Sequence, residues 1–459
     1  MTAPQKTETI THTLARYVAD TKFQDIPSHV LGATRQLMLD TLGVGWAGSA
    51  ASGSAEVRAL AVREGGSADA MVLAFGGRLP AASAALVNGT LAGALDFDSL
   101  HEPSVMHSDI VILPAVLAVA ERERCSGAEL LTALVLGNDL AARLGASTNE
   151  NAGWFYSSVH GSLAAAAASA RLLGLDADGI RNAIGIAYSS AAGTRQPIFE
   201  RTFTKRMQTA FAAQAGVQAA LLASCGVTGP SAVLEGRAGL YAMYEQGDTS
   251  VVLDGLGAHW SAPSTSIKKY PSCACNHAAI DAAMRLIGQN EIAPHKVASV
   301  EVTLPPFAFE LVGGRFNPGA TPQVDAQFSV RYSIAAVLLR KRFGIDDIAP
   351  EAVTNPEIRP IAEMIDVREG EVGPALMTPS TVKIVMDDGR CFEERVDFVP
   401  GTSEAPLSER EIREKFRACV ARGVRSLDSV TADRLADRIL AIDEVADVRD
   451  FMDSVAELA

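Results

Sequence analysis

The sequence is poor in aromatic, cysteine and basic residues, and no apolar run in it is long. Aromatic side chains make up 6% of the 459 residues. The most apolar stretch, residues 110–120, is shorter than the roughly 18 residues that a membrane-spanning helix needs. Lys and Arg number 40 against 54 Asp and Glu, which gives a net charge of −14. Because binding phosphates takes clustered positive charge, this balance argues against nucleic-acid and anionic-membrane partners.

The six cysteines are scattered and form no paired framework, which is typical of a protein of the reducing cytoplasm. Cys273-Ala-Cys275 with His277 superficially resembles a metal motif. Structural zinc sites need a second ligand pair, and the sequence offers none. We therefore expect no metal and no metal cluster.

Composition is otherwise globular, with 48% hydrophobic and 20% charged residues. Apolar residues recur at helical spacing as far as about residue 254, and alternating strand patterns begin after Trp260. The spacing predicts a strand over 297–304, a hairpin over 382–396 and a helix over 327–340. Residues 408–459 return to a charged amphipathic helical pattern.

Two short motifs concern helix ends. Ser126 and Glu129 form a capping box, which predicts a helix from about residue 130 to 144. Gly43, Gly45 and Gly48 have the spacing of a dinucleotide-binding loop, but a helical pattern precedes them where a strand is needed. A helix-terminating turn is the favoured interpretation.

Ionisable residues gather in a loop between two apolar helices. Asp96, Asp98, His101 and His107 lie there, and loops on a rigid scaffold commonly carry catalytic groups. The alternative is a solvated turn that caps the next helix.

Two further segments combine charge with a favourable position. Residues 195–206 include Lys205 and Arg206 and are locally basic, so they form either a carboxylate-binding wall or a solvated face. His277 is predicted to lie at a helix N-terminus, where the dipole favours neutral imidazole and hence a usable base. A first-turn surface histidine is the alternative.

Five ordered segments resemble the MmgE/PrpD family, which includes 2-methylcitrate dehydratase, cis-aconitate decarboxylase and iminodisuccinate epimerase. The matching segments are residues 88–98, 107–114, 205–216, 267–281 and 326–332. The resemblance implies a mainly α fold: a large all-α domain over 1–265, with 401–459 packing back on it, and a smaller α+β lid domain over 266–400. It also implies a homodimer and a cofactor-free site between the domains for a small polycarboxylate.

Carried over by position, the resemblance implies the following site. Catalytic roles fall to His107, Lys205, His277 and Tyr332, the last on the resemblance alone. Asp96, Lys268 and Arg206 are expected to bind substrate. Family members typically carry histidine where this chain has Phe155 and Gln208, and Tyr156 or His160 is the candidate replacement at the first position.

The family's reactions make or quench a carbanion beside a carboxylate, which needs a proton-transfer group and cationic donors. The first hypothesis is a cofactor-independent lyase of a di- or tricarboxylate, with dehydration foremost. Decarboxylation, epimerisation and a non-catalytic carboxylate-binding dimer are the alternatives. The acidic total then describes solubility, and the two local basic segments describe function.

Overall fold

The computed structural model describes residues 9–148, 153–244, 246–373 and 375–458. The first part is helical. Its helices are α1 Ile10–Asp20, α2 Ser28–Gly48, α3 Ser54–Glu64, α4 Ala81–Gly93, α5 Asp109–Glu123, α6 Gly127–Ala146, α7 Tyr156–Leu172, α8 Ala177–Tyr188, α9 Gln196–Phe199, α10 Thr204–Ser224, α11 Leu240–Met243 and α12 Thr249–Leu253.

Helices of the second part surround a sheet, and the last three close the chain. They are α13 His277–Gln289, α14 Pro306–Val312, α15 Pro322–Gln327, α16 Val330–Arg340, α17 Pro350–Val353, α18 Ile358–Met364, α19 Glu409–Val420, α20 Ser429–Leu440 and α21 Val448–Leu458. The protein is mainly α with a smaller α+β part, so the predicted fold class is confirmed.

Strands are few and short. They are β1 Ala70–Met71, β2 Arg78–Leu79, β3 Leu100–His101, β4 Thr265–Ser266, β5 Val297–Leu304, β6 Ile365–Glu369, β7 Ser380–Met386 and β8 Cys391–Val396. The last four form one sheet in the order β6-β5-β7-β8, parallel between β5 and β6 and antiparallel elsewhere. The strand predicted over 297–304 and the hairpin over 382–396 are both confirmed.

Two hydrophobic clusters form the core. The first joins most of α1–α12 with apolar residues of α19–α21, so the last three helices pack on the helical part. The second lies between the four-stranded sheet and α13 and α16, and also includes Phe97 and Leu100 from the helical part. No helix among the described residues is long and apolar enough to cross a membrane.

Local chemistry sets several helix ends. Ser126 Oγ accepts from the backbone N–H of Glu129 at 3.3 Å, and Glu129 accepts from the N–H of Ser126 at 2.7 Å, so the predicted capping box is confirmed. It starts α6 at Gly127, three residues before the predicted start.

The helix predicted over 327–340 is wrong at its start. Gln327 ends α15, and the chain is extended at Ser329 before α16 begins at Val330. Ser329 Oγ accepts from the N–H of Tyr332 at 3.2 Å and so caps α16. A hydroxyl that caps a new helix interrupts what the apolar spacing presents as one helix.

The glycines at 43, 45 and 48 form no turn before the end of α2, which contains all three. The interpretation as a helix-terminating turn is therefore wrong for Gly43 and Gly45. A Cβ on Gly48 would lie 1.9 Å from the carbonyl oxygen of Leu91 in α4. Glycine is required there because α2 and α4 touch backbone to backbone, and α4 leads directly into the candidate site.

Candidate active site

A two-stranded ribbon joins the helical part to the α+β part at the site. Leu100 of β3 pairs with Ser266 of β4, antiparallel. This pairing sets the loop after α4, which carries Asp96 and Asp98, against the segment that carries Lys268. Asp96 and Lys268 are more than 160 positions apart in the chain.

Asp96 lies at the centre of a buried ion-pair network. Its backbone is left-handed, with φ of 50°. Its carboxylate contacts Lys205 Nζ at one oxygen and Lys268 Nζ at the other, the latter at 3.1 Å, and Lys268 also donates to the Asp96 carbonyl at 2.9 Å. Burial alone would raise the pKa of Asp96, but Lys205 and Lys268 outweigh burial and hold that pKa far below its usual range.

Lys268 is 3% exposed. Burial acts to lower its pKa, but Asp96 and Asp98 overcome that effect and raise it. Lys268 therefore stays an ammonium in the resting site. Both lysines are already paired with a carboxylate of the protein itself.

Asp98 and His107 form a second pair. His107 Nδ1 lies 2.7 Å from Asp98 Oδ2 and 3.2 Å from the carbonyl of Ser99, which assigns the Nδ1 proton to these acceptors. Burial would raise the pKa of Asp98, but His107 and Lys268 lower it, so the carboxylate stays ionised. Nε2 is then the ring nitrogen available for proton transfer.

Asp96, His107, Lys205 and Lys268 border a cavity between the helical part and the α+β part. The other polar residues of its lining are Tyr156, Arg195, Cys273 and Cys275. Its apolar lining includes Leu100, Val105, Trp154, Phe155, Ile198, Phe307, Leu311, Phe328 and Met377. An apolar wall around a few charged groups strengthens each electrostatic interaction within it.

Arg195 supplies a further cation in the lining. Its backbone N–H donates to Gly153 at 2.7 Å, which joins the segment before α9 to the segment before α7. Within the described chain the guanidinium has no hydrogen bond or ion pair to a protein group, and burial lowers its pKa. Unlike the two lysines, Arg195 forms no ion pair with a carboxylate of the described residues, and only the more distant charge of Glu310 acts against burial on its pKa.

Five of the nine predicted site residues line this cavity: Asp96, His107, Tyr156, Lys205 and Lys268. His160, Arg206, His277 and Tyr332 do not line it.

His277 begins α13, as predicted, but its ring is fully buried. It packs edge-on against Tyr270 with ring centroids 5.4 Å apart, and Nε2 lies 3.3 Å from the carbonyl of Ser272. Burial lowers its pKa to about 3, with Lys268 adding to that effect. The imidazole is neutral, as expected, but faces the core.

Tyr332 is also fully buried, on α16. Its hydroxyl donates to the carbonyl of Asp347 and lies 3.3 Å from Arg340 Nη1. Here it holds the end of α16, and its proton is not directed to the cavity.

Arg206 and His160 point away from the cavity from the helices that carry them. Arg206 donates to the carbonyl of Ser52 at 3.3 Å and to Gln323 Oε1 at 2.8 Å. His160 contacts Thr148 Oγ1 at 3.3 Å and the ring of Tyr156, and burial lowers its pKa to about 3.

The two positions where the family typically has histidine differ in their surroundings. Phe155 lines the cavity, and its ring centroid lies 6.4 Å from that of His107. Gln208 is buried, and its Oε1 accepts from the N–H of Thr194 at 2.8 Å. Phe155 thus makes one wall of the cavity apolar, and Gln208 fixes the loop that carries Arg195.

The candidate site residues proposed from sequence omitted Asp98, Arg195 and Cys273. Asp98 and Arg195 belong to segments that the sequence had singled out, the loop that carries Asp96 and the basic segment 195–206. Nothing in the sequence shows that Cys273 borders the cavity. Among the described residues no group of three or more His, Cys, Asp or Glu is arranged to hold a metal ion.

Two family models match the chain. The MmgE/PrpD N-terminal domain matches residues 12–252, and the MmgE/PrpD C-terminal domain matches residues 270–442. Together they cover most of the sequence, so the chain belongs to the MmgE/PrpD family.

Curated relatives align over nearly the whole chain. A cis-aconitate decarboxylase-like protein, oryM, of Aspergillus oryzae is 27% identical over 96% of this chain and 96% of its own length. Cis-aconitate decarboxylase of Aspergillus terreus is 26% identical over 96% and 94%. Cis-aconitate decarboxylase of Homo sapiens is 26% identical over 90% and 88%.

Proposed function

We propose that this protein is a lyase that acts on a small di- or tricarboxylate in the cavity between its two parts. The observation that carries the proposal is the Asp98–His107 pair, at 2.7 Å, beside Lys205, Lys268 and Arg195. A proton-transfer group next to several cations is what carbanion chemistry beside a carboxylate requires.

Each group has a defined part. Arg195 binds one substrate carboxylate through its two-pronged guanidinium. Lys205 and Lys268 stabilise the negative charge that develops beside the reacting carbon. His107 Nε2 moves the proton, and Asp98 keeps the ring oriented and stabilises the imidazolium form.

Decarboxylation is the first reaction to consider, because the relatives named above are cis-aconitate decarboxylases or resemble them. In that reaction a carbon–carbon bond breaks, CO₂ leaves and its bonding electrons stay on the substrate carbon. Imidazolium His107 then gives that carbon a proton. A tricarboxylate thereby becomes an unsaturated dicarboxylate and CO₂.

Dehydration is the second candidate. It uses the same groups, but His107 removes a proton from carbon where decarboxylation has it give one. His107 Nε2 removes a proton beside a carboxylate and passes it to the hydroxyl group, which leaves as water as its carbon–oxygen bond breaks. The Asp98 contact engages Nδ1, which leaves Nε2 to carry out this transfer. Epimerisation would return the proton to the other face of the same carbon.

The test is turnover of a carboxylate panel, including cis-aconitate and 2-methylcitrate, in deuterated buffer with mass-spectrometric detection. Released CO₂ identifies decarboxylation, an enoate from a hydroxy acid identifies dehydration, and deuterium uptake without net product identifies epimerisation. The variant His107→Asn is the control and should lower turnover about 10²- to 10⁴-fold. If folded protein turns over no member of the panel, the proposal fails and a non-catalytic carboxylate-binding role gains.

A further inference from the structure

Cys273 places a thiol in the cavity lining beside the cationic groups. It precedes a short 3₁₀ turn, residues 274–276, that runs directly into α13. The side chain is half-buried and borders the same space as Lys205 and Lys268. Its backbone N–H donates to the carbonyl of Gln327 at 2.9 Å, which fixes its position.

A second thiol acts on the first. The hydrogen bond from Cys275 is the largest influence on Cys273, and with nearby Lys268 it outweighs burial and Asp96 and lowers the pKa of that thiol. The same contact, together with burial, raises the pKa of Cys275 well above its usual value. Of the two thiols, Cys273 is therefore the one that loses its proton more readily.

The other four cysteines have different surroundings. Cys125 and Cys419 are buried, and burial raises the pKa of each to about 12. Cys225 and Cys391 are exposed and lie outside the cavity lining. Of the six cysteines, Cys273 alone combines solvent access, a thiol donor and a cation-bearing cavity.

We propose that Cys273 is a covalent-modification site for carboxylate-bearing electrophiles, and for α,β-unsaturated carboxylates above all. The inference rests on the proposed function only in that the cavity attracts carboxylates. Reactive cysteines characteristically lie at electropositive, partly exposed positions, as this one does.

The chemistry balances without a further reagent. The Cys273 thiolate forms a carbon–sulfur bond to the β-carbon of the unsaturated acid, and the π electrons move to the α-carbon. That carbon takes a proton from solvent, which replaces the proton that the thiol lost. A thiol and an alkene have become one thioether, so an unsaturated acid held near Cys273 acts as a covalent inhibitor.

Alkylation by a matched pair of reagents tests the proposal. Iodoacetate and iodoacetamide alkylate thiolates in the same way, with loss of iodide, but only iodoacetate carries a carboxylate. Peptide mass spectrometry measures the rate at each cysteine of the full chain. We expect the iodoacetate-to-iodoacetamide rate ratio at Cys273 to exceed the ratios at Cys225 and Cys391 by about tenfold or more, because the cations concentrate the anion locally.

Variants separate the contributions. Cys275→Ala should slow alkylation of Cys273 by removing the donor, and Cys275→Ser, which keeps a donor, should restore most of the rate. Maleate should then form a stable adduct at Cys273 that is absent in Cys273→Ala.

Equal rate ratios at all three accessible cysteines, or no maleate adduct, would overturn the proposal. The turnover assay on the same preparation keeps the two proposals distinct. Selective alkylation in a protein that turns over nothing supports this site and removes the lyase, and turnover without selective alkylation does the reverse.

Discussion

At the scale of single residues, the hydrogen bond from His107 to Asp98 decides which ring nitrogen is available in the cavity. Asp98 itself is outside the lining. The variant Asp98→Asn keeps the size of the side chain and removes its charge. We expect kcat to fall about 10²- to 10⁴-fold with little change in KM, the range for loss of positioned acid–base catalysis.

Steady-state kinetics on the best panel substrate checks this. His107→Asn should lower kcat by a similar factor. The double variant should lower kcat little more than either single variant does, because the two residues act as one unit. Additive losses, or an unchanged kcat in Asp98→Asn, would contradict the assignment.

In the proposed function Arg195 binds a substrate carboxylate and takes no part in proton transfer. Removing a charged hydrogen-bond donor costs about 1.5–3 kcal/mol, so Arg195→Gln should raise KM by about 10- to 100-fold. Arg410→Gln is the matched control, since Arg410 is 80% exposed on α19. If both variants shift KM equally, local binding by Arg195 is not the cause.

Residue types and chain order were enough to predict the segments that carry the charged groups of the cavity, but not the direction of every side chain. His277 lies at the predicted start of a helix, and Tyr332 lies within the predicted helix 327–340. Both side chains nevertheless face the core. A sequence pattern places a residue on an element to within about a turn. Which side of the element faces a cavity depends on packing against helices far away in the chain.

At the scale of elements, the contact between α2 and α4 supports the loop that carries Asp96. A Cβ on Gly48 would overlap the backbone of α4 at Leu91, whereas a Cβ on Gly45 would come nearest to the flexible Leu73 side chain, at 3.4 Å, and would lie in ordinary contact with the Ala92 backbone, at 3.7 Å. Gly48→Ala should therefore lower the free energy of unfolding by about 1–3 kcal/mol and reduce activity as well.

Gly45→Ala is the control in the same helix. It should be neutral or stabilising by up to about 1 kcal/mol, because alanine is the better helix former. Urea denaturation of both variants measures the difference. Equal effects would mean that the backbone approach at Gly48 does not limit stability.

Strands 297–304 and 382–396 were predictable because alternation along a chain is a local property. The break between α15 and α16 was not, since it depends on one serine that caps a helix. The glycines of α2 illustrate the same limit: their spacing is visible in the sequence, but the neighbouring backbone that requires Gly48 is not.

At the scale of the whole molecule, buried histidines link stability to pH. Burial lowers the pKa of His101 to about 4 and the pKa values of His160 and His277 to about 3. Below pH 6.5 these three histidines bind protons in the unfolded chain but stay neutral in the folded chain. Each group then lowers the free energy of unfolding by about 1.4 kcal/mol per pH unit as pH falls towards its folded pKa.

Buried carboxyls act with the opposite sign. Burial raises the pKa of Glu121 to about 7 and that of Asp109 to about 6. As pH falls from those values towards the unfolded pKa of each, the folded chain binds protons first and gains stability. From about pH 6 to 4.5 the two carboxyls therefore offset part of the loss that the three histidines cause, and below that range the histidines dominate.

The variant His160→Asn isolates one histidine. Between about pH 6 and 3.5 its free energy of unfolding should fall less steeply with acidification than that of the natural sequence, by about 1.4 kcal/mol per pH unit. Chemical denaturation at half-unit pH steps measures both slopes. Parallel curves would mean that His160 titrates alike in the folded and unfolded chains.

The Asp96 carboxylate, which contacts both Lys205 and Lys268, makes the resting cavity a site that already holds an anion of its own. Because that anion is tethered, it competes at a high effective concentration with any acid that enters. A monocarboxylate can still meet Arg195 without displacing it. We expect an acid that brings one carboxylate to Arg195 and a second to the lysines to bind more tightly, so that affinity should rise with the number of carboxylates that a ligand carries.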